Sequence, residues 1–167
     1  MTHAKRQLGA RGITLVEAVL SMAVASVMLA ASLNAVAAAR VGQVWNTQRL
    51  AAMSAASALM TEITDLAYQE PLLGGGLGPD ALEVDRTLYD DVDDYAGYKA
   101  ACADRSGKAL PGTSRMRFVV DVEWVEPASP GATVGAESGV KRITVRVERD
   151  GKELARLAAC RSEMVER

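Results

Sequence analysis

The residues with chemical potential are few and unevenly placed. Glu17 stands five residues after Gly12 at the head of a hydrophobic block; Asp90, Asp91, Asp93 and Asp94 crowd one short stretch; Cys102 and Cys160 are the only cysteines. A carboxylate in an apolar span costs about 2.5–3.5 kcal/mol near its centre and less toward its edge, so Glu17 calls for a positive partner or another functional reason. Clustered carboxylates suit a hard cation such as calcium, although the spacing of these aspartates does not follow an EF-hand loop. The stretch also reads as a solvated connecting loop anchored by Tyr89, Tyr95 and Tyr98, or as a contact with a partner subunit. Enzyme chemistry is not expected. His3 is the single histidine, so neither a His/Cys zinc set nor a Ser/His/Asp or Cys/His arrangement can be assembled. The glycine-rich stretch from Gly74 to Gly78 lacks the Lys-Ser/Thr of a phosphate-binding loop.

The elements that must carry these residues follow from hydrophobic patterning. With 167 residues, 49% of them apolar, the chain can form one domain plus one long hydrophobic helix, but not two sizeable cores. A formal charge of −2 without any long Lys/Arg run argues against nucleic acid as a partner. Residues 1–12 hold Lys5, Arg6 and Arg11 and no acid. Ala18 to Ala39 then runs for 22 residues without a charge before Arg40. At about 1.5 Å per residue that run crosses roughly 33 Å, enough for a bilayer core and longer than the apolar stretch of a secretory signal peptide. Nine of its residues are alanine and Ser21, Ser26, Ser32 and Asn34 are interspersed, a composition that permits close helix packing and hydrogen bonds between helices.

Beyond the apolar run, Met53, Ala56, Met60, Ile63 and Ala67 recur at helical spacing opposite Gln48, Ser54, Ser57, Thr61, Glu62 and Asp65, which predicts an amphipathic continuation over 40–70. No proline interrupts the chain from Ile13 to Glu70, and Pro71 with the following glycines ends the helix. Residues 71–114 read as an acidic connecting region, with seven acids against Arg86 alone between Asp80 and Asp94. Residues 115–167 read as antiparallel sheet. Met116, Phe118, Val120, Val122 and Trp124 alternate with polar residues, as do Ile143, Val145 and Val147, and Asp150-Gly151 supplies a tight hairpin turn. Residues 127–139 read as a loop. The expected fold class is α+β: a long N-terminal helix packed on a small antiparallel sheet.

The segment Arg11-Gly12-Ile13-Thr14-Leu15-Val16-Glu17 resembles the cleavage and methylation signature of type IV prepilins and type II secretion pseudopilins. There a short basic leader ends in glycine, a hydrophobic residue becomes the new N-terminus, and a glutamate follows four positions later. The resemblance implies removal of residues 1–12 by prepilin peptidase between Gly12 and Ile13, methylation of the Ile13 amine, and residues 13–39 as transmembrane and filament-core helix. It implies that Glu17 neutralises the N-terminal amine of a neighbouring subunit during assembly. It also implies other pilin subunits, the inner-membrane assembly platform and membrane lipid as partners, and an inner-membrane location with the C-terminal domain in the periplasm before filament entry. The Asp-rich stretch more loosely resembles minor pilins of the mannose-sensitive haemagglutinin type.

An extracytoplasmic location would let Cys102 and Cys160 form a disulfide; two independent buried thiols are the other reading. Two other functions compete with a filament subunit. One is a monomeric membrane-tethered binding or sensory module, to which Glu17 would bring no benefit. The other is a soluble periplasmic protein released near Ala39.

Overall fold

The computed structural model describes residues 13–69, 76–80 and 82–163; the proposed leader, including Gly12, lies outside the described residues. One helix, α1, runs from Leu15 to Thr64 and is followed by five strands: β1 (Lys99–Ala101), β2 (Met116–Glu126), β3 (Ser129–Thr133), β4 (Val140–Arg149) and β5 (Lys152–Ser162). The chain divides between Val44 and Trp45 into two compact units.

The first unit is helical from Leu15 onward and its side chains are almost all exposed. Thr14 caps it. The Thr14 Oγ1 accepts the Glu17 backbone N–H at 3.2 Å, and the Ala18 N–H reaches the Thr14 carbonyl at 3.0 Å. This satisfies one of the free donors of a helix start and puts Glu17 at the acid position of a capping box. Leu15, Val16, Leu20, Met22, Val27, Met28, Leu29 and Leu33 are each more than 60% exposed, far more apolar surface than a free helix in water sustains. Ser26 and Ser32 donate to the carbonyls of Met22 and Met28 at 2.7 and 2.8 Å, so both hydroxyl protons are satisfied within their own helix.

The second unit is an α+β domain. The sheet order is β1-β2-β4-β5, all antiparallel, with β3 pairing the end of β2. Register places Phe118 opposite Val147, Val120 opposite Val145 and Val122 opposite Ile143, so alternate residues of β2 and β4 form one apolar face. Against it packs the end of α1 through Ala52, Ala55, Ala56, Leu59 and Ile63, all buried in the same core. The buried helix face is thus led by alanines, with Met53 37% exposed and Met60 only partly buried. Small side chains let the helix backbone approach the sheet closely. Gly112 fits the same principle on the loop before β2: at φ 73°, a Cβ there would stand 3.2 Å from that of Ala51.

The β4–β5 hairpin turns at Asp150 and Gly151, with φ of 51° and 79°, and Arg149 pairs directly with Lys152. Two consecutive positive φ values define the type I′ turn expected from Asp-Gly. Two segments differ from the patterns read in the sequence. β1 lies within the acidic region because Lys99–Ala101 pairs with Arg117–Val119, and β3 lies within the Pro/Gly-rich stretch after Pro127. Both are short strands without apolar alternation, so only the pairing edge of β2 defines them.

Candidate functional site

The first candidate is the head of α1. Ile13, just before the Thr14 cap, and Glu17, in the first turn of α1, are both exposed and four residues apart, and beyond them the charge-free run continues to Ala39. α1 is long and apolar enough to cross a membrane. The single polar feature of its first turn is the Thr14–Glu17 cap. Sequence patterning placed the weight on Glu17 and missed the supporting role of Thr14, which its S/T-x-x-E spacing signals.

The second candidate is the acidic stretch. The aspartates do not behave as one solvated group. Asp91 Oδ1 accepts the N–H groups of Asp93 and Asp94 at 2.6 and 3.2 Å, while Asp94 Oδ2 accepts those of Asp90 and Asp91 at 3.0 and 3.1 Å. These reciprocal bonds hold a 3-10 turn over Asp93–Tyr95, and Asp91 before it as well as Asp93 and Asp94 within it are buried. Burial, then the neighbouring charges of Asp94 and Asp93, pushes the Asp91 carboxyl up to about 6. Asp93 faces a cation instead. Its Oδ2 lies 2.7 Å from the Nζ of Lys141, which is fully buried, and Lys141 also donates to the Tyr68 carbonyl and sits 3.9 Å from the Tyr68 ring centroid. Burial raises the Asp93 carboxyl more than Lys141 lowers it.

The calcium set suggested by the sequence, Asp90, Asp91, Asp93 and Asp94, is therefore corrected. Asp91 is consumed by backbone N–H groups and Asp93 by Lys141. The carboxylates that do converge are Glu83, Asp90 and Asp94, with one oxygen from each within 4.8 Å of the others. Burial and the hydrogen bond with Asp94 push Glu83 up to about 7, as expected for like charges sharing a small space. With one oxygen each, the three carboxylates supply at most half of the roughly 6–8 oxygens that calcium takes, and Asp94 Oδ2 already serves two amides.

The tyrosines form a genuine anchor. Tyr89, Tyr95 and Tyr98 contact one another edge-on, with centroids 5.1 to 6.1 Å apart. Beneath them Arg86 Nε reaches Glu62 Oε1 at 2.9 Å, a second nitrogen reaches Glu62 Oε2, and Tyr95 OH donates to Glu62 Oε1 at 2.7 Å. Burial works against the Glu62 charge, but the hydrogen bonds from Arg86 and Tyr95 outweigh it and hold the carboxyl below its usual range. Periodicity had assigned Glu62 to the solvent face of the helix; Arg86 recruits it inward.

The cysteines do not pair. Cys102 is buried in the core and Cys160 is exposed on β5, and both thiols are free. Cys102 follows β1 and Cys160 lies on the opposite edge strand, so β2 and β4 stand between them. At about 4.8 Å per strand the gap is roughly 14 Å, twice the reach of a disulfide. Compartment permits the bond, but topology forbids it. Burial pushes the Cys102 thiol up to about 11, which leaves it a poor nucleophile. Comparison with protein-family models, curated proteins and solved structures finds no match for this chain.

Proposed function

We propose that the chain is a structural subunit, a minor pilin or pseudopilin, of a type IV pilus or type II secretion-like filament. In this reading prepilin peptidase cuts between Gly12 and Ile13 and the new Ile13 amine is methylated. α1 then holds the chain in the inner membrane with the sheet domain in the periplasm until the assembly platform moves it into a filament. The carrying observation is the exposed apolar surface from Ile13 onward with a carboxylate, Glu17, in its first turn. That surface needs lipid or other helices to cover it. The carboxylate gains most from a partner's N-terminal ammonium, because two charges that are costly in an apolar setting are neutralised only when subunits are in register.

The decisive experiment is N-terminal sequencing and intact mass of the chain from membranes of a host with prepilin peptidase and of one without it. The expected product begins at methylated Ile13 and appears only when the peptidase is present. An uncut Met1, or a start near Ala38 or Arg40, overturns the proposal.

A further inference from the structure

A groove of about 540 Å³ lies between the Trp45–Met53 stretch of α1 and the start of β5. Its walls carry Trp45, Arg49, Lys152 and Arg156, with Met53 and Leu154 as apolar floor. Lys152 Nζ sits 4.5 Å from the Trp45 ring centroid, so the cation and the indole share one edge. Arg156 is neutralised by Glu153 at 2.7 Å, whereas neither Arg49 nor Lys152 forms an ion pair with a described residue. The groove therefore carries two positive charges without an acidic partner among the described residues, beside an indole that is 47% exposed. In sequence, Trp45 follows the end of the charge-free run at Ala39 by six residues. Along the chain, a bilayer that takes up Ala18 to Ala39 therefore ends six residues before Trp45, close to the headgroup level at which tryptophan is enriched and each nearby Lys or Arg favours anionic lipid.

We propose that this groove binds the phosphate of an anionic phospholipid in the leaflet facing the sheet domain, with Arg49 and Lys152 as phosphate ligands and Trp45 packed against the glycerol backbone. The inference rests on the membrane-anchored reading above. Bound lipid would hold the domain against the bilayer before filament entry, and release of that contact would accompany extraction.

The test is native mass spectrometry of the full chain in nanodiscs of equal parts phosphatidylglycerol and phosphatidylcholine. Wild-type protein is expected to retain phosphatidylglycerol preferentially. Arg49→Gln with Lys152→Gln is expected to cut that preference by roughly five-fold for each cation removed, while Lys99→Gln, on β1, leaves it intact; an unchanged thermal transition shows that the double variant is folded. Equal retention of the two lipids, or a preference that survives the double substitution, overturns the inference. So does binding of soluble glycerol phosphate without any lipid preference, or a double variant that loses only contacts with other copies. A chain that never enters the disc fails the anchoring reading itself, an outcome separate from entry without lipid preference.

Discussion

Lys141 and Asp93 form an ion pair 2.7 Å long in which the lysine is wholly buried, joining β4 to the turn that ends the acidic stretch. The other carboxylate oxygen, Asp93 Oδ1, is buried without a hydrogen-bond partner among the described residues. The pair is thus incompletely satisfied, and its desolvation cost is offset mainly by the partner charge. Lys141→Met should destabilise the domain by about 3–5 kcal/mol, because it strands a buried carboxylate. Adding Asp93→Leu should recover most of that loss. Denaturant unfolding of the detergent-solubilised chain measures both; an equally unstable double variant would show that the pair organises the turn beyond its electrostatics.

The Arg86–Glu62–Tyr95 network gives a graded series. Tyr95→Phe removes one hydrogen bond and should cost about 1 kcal/mol. Arg86→Met leaves Glu62 and the Ala103 carbonyl without their main donor and should cost about 3 kcal/mol or more. Unfolding midpoints compared at neutral pH test the order; equal effects from the two substitutions would contradict it.

The raised carboxyls set a pH dependence. Asp91 at about 6 and Glu83 at about 7 bind protons more tightly in the folded chain than in the unfolded one. Their contribution is fully present below the unfolded value near 4 and is lost as pH rises through 6 to 7. Glu62 and Glu137 have the opposite sign: the Glu62 carboxyl is held low by Arg86 and Tyr95, and that of Glu137 by Tyr68, each against burial, so their contribution disappears in strong acid. Thermal stability should therefore rise on going from pH 8 to pH 5 and fall again below pH 4. Glu83→Gln should flatten the part of the curve between pH 6 and 8.

Thiol chemistry tests the strand order. Cys160 should react with a maleimide in the folded protein, and Cys102 only after unfolding. The non-reduced chain should show no loss of two hydrogens by mass. A cross-linked product would require β1 and β5 to be neighbours, which the pairing of β2 with β4 excludes.

Much of this was legible in the sequence, for specific reasons. Strand β4 alternates cleanly because one face is buried, and β2 shares that face from Met116 to Val122 although Val119 and Val125 are buried as well and Trp124 is only half-buried; Asp150-Gly151 has the chemistry that a type I′ turn demands. The long helix follows from the absence of proline and the apolar run. What escaped was decided by tertiary partners. Glu62 turns inward only because Arg86 arrives from a segment 24 residues later, and Asp93 is buried only because Lys141 meets it from β4. The acidic stretch looked solvated because charge density is visible in a sequence, whereas reciprocal capping by Asp91 and Asp94 is a property of the folded turn. The disulfide expectation failed because a count of two cysteines carries no information on strand order.

Glu17 admits two roles that one substitution separates. At the acid position of the Thr14 cap it has a local role at the helix start, which glutamine fills equally well because a capping box accepts either residue there. As the counter-ion of a neighbour's Ile13 amine it acts through its charge, which glutamine lacks. Glu17→Gln should leave cleavage after Gly12 and membrane insertion unchanged yet remove the chain from sheared filaments, as scored by immunoblot of the filament fraction against the membrane fraction. Thr14→Ala should do the reverse in kind: it removes the side-chain acceptor of the Glu17 N–H, costs about 1 kcal/mol at the helix start, and leaves the charge in place. Filament entry by Glu17→Gln at the wild-type level would reduce Glu17 to a cap and favour a membrane-tethered monomer.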